Sequence, residues 1–299
     1  MNKIKTEALY KTKLDERTII LIEGIDSIDF LQNLISNNVE SISNNNSIYS
    51  TLLNPQGKFL FDFMVFTKDN NKKLYLDCYK SRSEELIKQL NFYKIRKNVT
   101  FSIIENIEII YLYGEYDALL SKLKLKNKEG YTSIINNIIF IMDPRNKKLG
   151  IRLYNFKNNL PNYIYTIQTK PIEEYEKLRI NLTVPSGIKD LEIGKSFLLE
   201  NNFEFLNAID FGKGCYIGQE NTARQKYRAT QKKMLYKIKI TGKKLNIGEK
   251  IILNNRQVGQ IKSSIKGLGL ASIRKDIYEE YKLKNMEINV QESKIKFIN

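Results

Sequence analysis

One short run holds most of the side chains in this chain that could do chemistry. Gly212-Lys213-Gly214-Cys215-Tyr216-Ile217-Gly218-Gln219-Glu220-Asn221-Thr222-Ala223-Arg224 sets a thiol among three glycines, a lysine, a tyrosine, a glutamate and an arginine. Glycine lets a backbone take positive φ and lets another group approach closely. From Gln219 onward the residues are good helix formers, which places Cys215 just before a helix N-terminus. That position, with Lys213 close in sequence and Arg224 within reach if the helix folds back, favours thiolate over thiol. A thiolate can act as a nucleophile, bind a soft metal or sense redox state. The alternative is an inert cysteine packed under a tight turn, since free cysteine is commonly buried. Cys78 follows Leu74, Tyr75 and Leu76 and reads as a buried, structural cysteine of that kind.

The rest of the composition narrows the chemistry. There is no histidine among the 299 residues, so Ser-His-Asp and Cys-His catalysis and every imidazole base are excluded. Two distant cysteines do not make a secreted disulfide framework. Without histidine they cannot make a Cys/His zinc site, and no metal site is expected. The charge of +16, from 49 Lys+Arg against 33 Asp+Glu, suits an anionic partner such as nucleic acid or a polyanionic cofactor. Equally, it is a by-product of a chain crowded with Lys, Asn and Ile, since no basic cluster stands out. No apolar run approaches the roughly 20 residues that span a bilayer, so no membrane association is expected. Met1–Glu7 has neither the apolar core nor the cleavage site of a secretory signal. A cytoplasmic protein is the resulting expectation.

The elements that must position the thiol follow from periodicity and turn residues. Arg17–Glu23 reads as a strand ending at Gly24, and Asp26 as the N-cap of a helix with Phe30, Leu31, Leu34 and Ile35 on one face. Ser36–Ser47 is a polar loop. Ile48–Leu53 and Phe59–Phe66 form a hairpin around the turn Asn54-Pro55-Gln56-Gly57. Leu74–Cys78 is a strand, Ser83 caps a helix over Glu84–Leu90, and Asn98–Glu105 and Ile107–Tyr113 are strands. This order predicts an α+β module resembling a ferredoxin-like unit over residues 1–106. A second such module is expected over 107–228, with strands at Ile138–Met142 and Gly150–Leu153 and a helix at Pro171–Ile180. Beyond a boundary near Ala229, six short strands separated by Gly or Asn predict a small β-barrel over 229–299.

The run Lys213-Gly214-Cys215-Tyr216-Ile217-Gly218-Gln219-Glu220, followed by Ala223-Arg224, resembles the signature of the YgfZ family of folate-binding proteins, which includes the mitochondrial iron–sulfur assembly factor. Other segments agree along nearly the full length. They include Gly24-Ile25-Asp26 with Phe30-Leu31-Gln32, the turn segment Leu53–Lys58, Tyr93–Val99, Leu178-Arg179-Ile180 with Val184-Pro185, Val258–Ile261 and Leu268–Ala271. The family is related to the glycine cleavage T-protein. The resemblance therefore implies an α+β fold in which two ferredoxin-like modules and the C-terminal barrel form a ring around a central folate site.

The function implied is a tetrahydrofolate-binding accessory factor for assembly or repair of [4Fe–4S] enzymes, with an indirect effect on tRNA thiolation. Its cofactor would be tetrahydrofolate or a one-carbon derivative, and its partners iron–sulfur client enzymes, with a weak tRNA contact and a monomeric state. Cys215 would be the key residue, with Lys213, Glu220 and Arg224 beside it and Gly214, Tyr216, Gly218 and Gln219 shaping the loop. Any turnover would be folate-dependent one-carbon or thiol chemistry. Family tryptophans that contact folate fall near Arg17 and Tyr175, and the chain has no tryptophan. Tyr175 could stack on a pterin and Asp62 could contact folate. T-proteins carry paired acids where this chain has Phe61-Asp62, which argues against the first alternative, a tetrahydrofolate-dependent aminomethyltransferase. The second alternative is a basic tRNA-binding protein.

Overall fold

A computed structural model describes residues 9–70, 73–157, 159–228 and 231–298. The segment Met1–Glu7 and the boundary residue Ala229 lie outside the described residues. The chain forms two compact units, neither continuous in sequence. The first gathers Met1–Leu52, Phe61–Ile172 and Leu206–Ile217, and the second Leu53–Leu60, Glu173–Phe205 and Gly218–Asn299.

A five-stranded sheet runs in the order Ile48–Leu53, Phe59–Phe66, Lys73–Tyr79, Arg17–Glu23, Thr100–Ile104. Arg17–Glu23 pairs antiparallel with strands on either side, Thr18 opposite Cys78 and Ile22 opposite Phe101. The expected hairpin is present. Its turn closes as the sequence requires, with the Gly57 N–H donating to the Asn54 carbonyl at 2.9 Å and the Lys58 N–H to Asn54 Oδ1 at 2.8 Å. Ile48–Leu53 is buried at every position, and its two polar residues, Ser50 and Thr51, meet the Ser36 hydroxyl.

The second sheet of the first unit runs Gln168–Thr169, Leu9–Lys13, Glu108–Gly114, Ile151–Asn155, Ile138–Met142, Thr132–Ile135. Its apolar face, including Leu112, Phe140 and Leu153, packs with Leu119, Leu123 and Ile164.

Two helix starts differ from expectation. Asp26 does sit at the N-cap of the helix Ser27–Gln32, but its side chain makes no cap bond there. Asp26 Oδ2 instead accepts from the Asn98 backbone N–H at 2.6 Å. Ser83 is inside the helix Ser83–Tyr93, with Arg82 at the N-cap, and its hydroxyl turns back to the Lys80 carbonyl. Short polar side chains readily choose such local backbone partners over a cap.

In the second unit six strands run Lys250–Leu253, Arg256–Ile265, Leu268–Arg274, Lys233–Gly242, Ser293–Phe297, Ile288–Val290. The two end strands approach each other, so the sheet is nearly closed. Register shifts at Ile251/Ile252 and Ile261/Ser263 supply the curvature. Ile238, Ile251, Ile261, Ile273 and Ile295 fill its interior. A helix without a clear sequence signal, Lys275–Leu283, lies against this sheet. Its Tyr278 stacks on Tyr236 at 3.6 Å and meets Phe297 edge-on.

Candidate functional site around Cys215

The approach to Cys215 is pinned to the first unit in steps. Ser36 Oγ donates to the Ala208 carbonyl at 2.6 Å, and the Asp210 N–H donates to the Ser36 carbonyl at 3.0 Å. Asp210 Oδ1 then accepts from the Gly212 N–H at 2.7 Å. The last anchor is Lys213. Its Nζ donates to the carbonyls of Gln32 at 2.7 Å, Ile35 at 2.8 Å and Asn37 at 2.9 Å. An ammonium has three donors, and these contacts use all of them. Burial lowers the Lys213 pKa to about 8, with Asp210 and Glu40 working the other way.

Lys213 therefore spends its charge on backbone carbonyls at and just beyond the end of the helix Ser27–Gln32, and not on the thiol two residues away. The Tyr216 ring, buried at 7% exposure, lies 5.3 Å from the same Nζ. Between these two buried residues Gly214 and Cys215 come to the surface. A methyl placed on Gly214 would meet nothing within 4 Å. The thiol thus sits on an open stretch between fixed neighbours. The buried cysteine is instead Cys78, inside the strand Lys73–Tyr79, and burial pushes its thiol up to about 12.

Of the three glycines in the run only Gly218 has a positive φ, at 79°. The helix Gln219–Arg228 follows, with Glu220 in its first turn, and Asn221 Nδ2 donates to the Gln56 carbonyl at 2.9 Å. Gln219 is half-buried, while Glu220 and Arg224 are exposed. These residues, from Gly218 on, belong to the second unit.

The two residues expected at folate are placed as follows. Tyr175, on the helix Ile172–Asn181, is 5% exposed, so its ring offers no open face for stacking. Asp62 is buried and its Oδ2 accepts from Tyr49 OH at 2.9 Å. Neither side chain, as placed, fits a pterin contact. Among the described residues no three His, Cys, Asp or Glu side chains gather as metal ligands.

A buried charged network in the first unit went unseen in the sequence. Arg17 Nε donates to Asp77 Oδ1 at 2.6 Å, Arg152 donates to Asp77 Oδ2 at 2.5 Å, and Tyr154 OH donates to the same oxygen at 2.7 Å. Burial would raise the Asp77 pKa, but Arg17 and Arg152 hold it below the usual carboxylate range. Arg17 also lies 4.4 Å over the Tyr79 ring. Near the position where the resemblance places a tryptophan, this chain thus has an arginine bound to Asp77. A signal was available: an aspartate in the middle of the apolar strand Leu74–Cys78 needs a buried partner.

No family model matches the chain. The mitochondrial iron–sulfur cluster assembly factor IBA57 of Mus musculus is 29% identical over 243 residues, covering 77% of this chain and 66% of that protein. Its human counterpart is 28% identical over 238 residues, covering 76% and 65%. The Neurospora crassa homolog is 27% identical over 231 residues, covering 75% and 52%. The match therefore spans between half and two thirds of these relatives' own length. Among solved structures, the glycine cleavage system aminomethyltransferase T from Bartonella henselae matches 97% of this chain and 84% of its own, with a TM-score of 0.75 at 12% identity.

The T-protein-like α+β fold expected from the sequence is borne out, and so is the resemblance carried by the Lys-Gly-Cys-Tyr run. The cytoplasmic expectation is corrected, because these relatives are mitochondrial proteins. It rested on the lack of an apolar secretory core, a test blind to the amphipathic, arginine-rich segments that address proteins to mitochondria.

Proposed function

We propose that this chain, a YgfZ-family homologue of the mitochondrial iron–sulfur cluster assembly factors, is itself an accessory factor in the assembly of [4Fe–4S] enzymes and acts through Cys215. The observation that carries this reading is the contrast within one loop: an exposed thiol between Lys213 and Tyr216, both buried. On ionisation the thiol gives its proton to water, and the sulfur lone pair is then free to bind iron of a cluster passing to a client enzyme. Lys213 acts as a positioning residue, since its ammonium is tied to three carbonyls. The open space over Gly214 leaves room for a client surface to come close.

Tetrahydrofolate binding is a finer part of the proposal, supported by the family resemblance alone, because Tyr175 and Asp62 do not present themselves to a pterin. No step is derived through folate. An indirect effect on tRNA thiolation would follow from the supply of clusters to thiolating enzymes. Aminomethyl transfer is the weaker reading, since Phe61 stands in place of one acid of the T-protein pair.

The test is complementation. Cells lacking their own factor of this family receive the wild-type chain or Cys215→Ala, and a [4Fe–4S] enzyme is assayed in extracts. Rescue by the wild type and not by the variant is expected. Rescue by both would remove Cys215 from the mechanism, and rescue by neither, with both proteins soluble, would overturn the assembly role.

A further inference from the structure

The first unit leaves one edge of its five-stranded sheet open. Thr100–Ile104 is the last strand in the order and pairs on one side only, with Arg17–Glu23. Among the described residues no backbone group pairs with its other side, and Thr100, Ser102 and Ile103 are exposed. In an antiparallel edge strand every second residue turns its N–H and C=O outward. Proteins blunt such an edge with lysine, proline, a bulge or a covering element. The run Thr100-Phe101-Ser102-Ile103-Ile104 has no charge and no proline, and its register is unbroken. Phe101 and Ile103 point to the same side of the sheet. Phe101 packs on Phe30, with ring centroids 5.6 Å apart, while Ile103 is 37% exposed.

The second observation stands where this strand begins. Ile25, Phe92 and Ile95 are 88%, 72% and 77% exposed. The loop that leads into the strand is tied to the residues around Ile25. The Asp26 N–H donates to the Asn98 carbonyl at 3.3 Å, and the Asn98 N–H donates to Asp26 Oδ2 at 2.6 Å. A fixed backbone thus holds large apolar side chains at the head of the open edge. Their rim is cationic. Lys88 stands one turn before Phe92 on the helix Ser83–Tyr93, and Lys94 and Arg96 flank Ile95. These three cations make no ion pair among the described residues. The nearby carboxylates are engaged, Asp26 with Asn98 and Asp29 with Lys97.

We propose that this edge accepts an extended segment of a partner protein as an added strand, alternating in apolar residues and acidic at the end that meets Lys88, Lys94 and Arg96. The backbone of the segment pairs with the outward N–H and C=O groups, and its apolar side chains cover Ile103 and the cluster at Ile25, Phe92 and Ile95. Five residues of strand, at about 3.3 Å each, offer about 17 Å of backbone to pair with. An anionic lipid surface would answer the cations and the apolar cluster but leave the strand edge unpaired. A second copy of this chain would bring the same cations and its own charge of +16 to the contact. An acidic protein segment answers all three features. The surface is distinct from the Cys215 loop, and its occupancy is read without a cluster.

The experiment is hydrogen exchange with mass spectrometry on the full chain, titrated with a synthetic peptide of alternating valine and threonine that carries glutamates at one end. Protection of the amides of Thr100–Ile104 is expected. The same peptide with every backbone nitrogen methylated should bind at least about tenfold more weakly, having lost its strand hydrogen bonds. A peptide with lysines in place of the glutamates should also be weaker by about tenfold or more. Ile103→Lys, at an exposed position and checked by thermal melting, should weaken the peptide by about tenfold or more. Lys88→Glu combined with Arg96→Glu should erase the preference for glutamates. If Ile103→Lys fails to fold, the methylated peptide and the charge variant still decide. No protection up to about 1 mM peptide, or equal binding of the methylated peptide, would overturn the proposal. So would strand protection that needs only a second copy, seen as a dimer in sedimentation and lost in Ile103→Lys. Flotation with phosphatidylglycerol vesicles that is lost in Phe92→Ser, without peptide binding, would give the cluster to a lipid surface and overturn it as well.

Discussion

Gly57 and Gly218 meet backbone to backbone: the Cα of Gly57 lies 2.9 Å from where a Cβ on Gly218 would sit, and a Cβ on Gly57 would come within 2.8 Å of the Gly218 carbonyl. Two separate stretches of sequence, the Asn-Pro-Gln-Gly turn and the end of the cysteine loop, thus require glycine for one shared reason. At both, a positive φ adds to the steric demand, 71° at Gly57 and 79° at Gly218.

Gly218→Ala is therefore expected to destabilise the chain by about 2–4 kcal/mol, combining strain at positive φ with a backbone clash. Gly214→Ala, which meets nothing, should stay within about 0.5 kcal/mol of wild type. Urea denaturation midpoints measure both. Equal midpoints for the two variants would show that the close approach at Gly218 is not limiting.

Lys213→Met removes three charge-assisted bonds and leaves three carbonyls bare, for an expected loss of about 2–4 kcal/mol. Lys213→Arg should not restore the wild-type state, because a planar guanidinium cannot reproduce three converging contacts. Hydrogen exchange across residues 206–217 should rise in both variants. An unchanged protection pattern would contradict the anchoring role.

The two cysteines should separate cleanly in alkylation. At pH 8, iodoacetamide followed by peptide mass spectrometry is expected to modify the exposed Cys215. Cys78, buried and with its thiol pushed up to about 12, stays protonated and is reached only after unfolding. Labelling of Cys78 in the native protein at a comparable rate would refute its placement.

Acid should act through Asp77. Its folded pKa lies below the unfolded value of about 3.9, because Arg17 and Arg152 favour the carboxylate. The folded state thus binds fewer protons. The stability Asp77 contributes is fully present above that unfolded value and is lost as pH falls through the folded one. Asp77→Asn should cost about 3–5 kcal/mol at pH 7 by leaving two arginines short of a partner. It should also flatten the stability profile between about pH 4 and 2, measured by thermal melting. A profile as steep as wild type would assign the acid sensitivity elsewhere.

Strands were the legible part of this sequence. Arg17–Glu23, Ile48–Leu53, Phe59–Phe66, Ile138–Met142 and Lys250–Leu253 occur with the bounds their residue patterns set, because runs rich in β-branched and aromatic residues between polar or turn-forming neighbours have few other readings. The helix Lys275–Leu283 was lost among lysines and glutamates. What holds it, Tyr278 against Tyr236, is a contact between distant parts of the chain that periodicity does not report. The cysteine loop was legible as a place and not as an arrangement. Lys213 stands two residues from Cys215, and proximity along the chain suggested an electrostatic partner. Its actual partners are carbonyls between Gln32 and Asn37, whose availability depends on how a distant helix ends. Arg17 and Asp77 were each visible as charges in apolar strands, but their pairing is set by sheet order.

The anchoring of Lys213 also bears on how the chain is made. Its three acceptors lie 181, 178 and 176 residues earlier in sequence, and the segment Leu206–Ile217 completes a unit begun near the start. Synthesis runs at about 5–20 residues per second, so on the ribosome those carbonyls wait many seconds for their cation, while Glu173–Phe205 emerges in between and belongs to the other unit. Docking of the thiol-bearing loop is thereby a late event in the maturation of the first unit, and such non-local closure is slow. A nascent chain stalled short of residue 213 would hold nearly every strand of that unit without the loop that presents its cysteine.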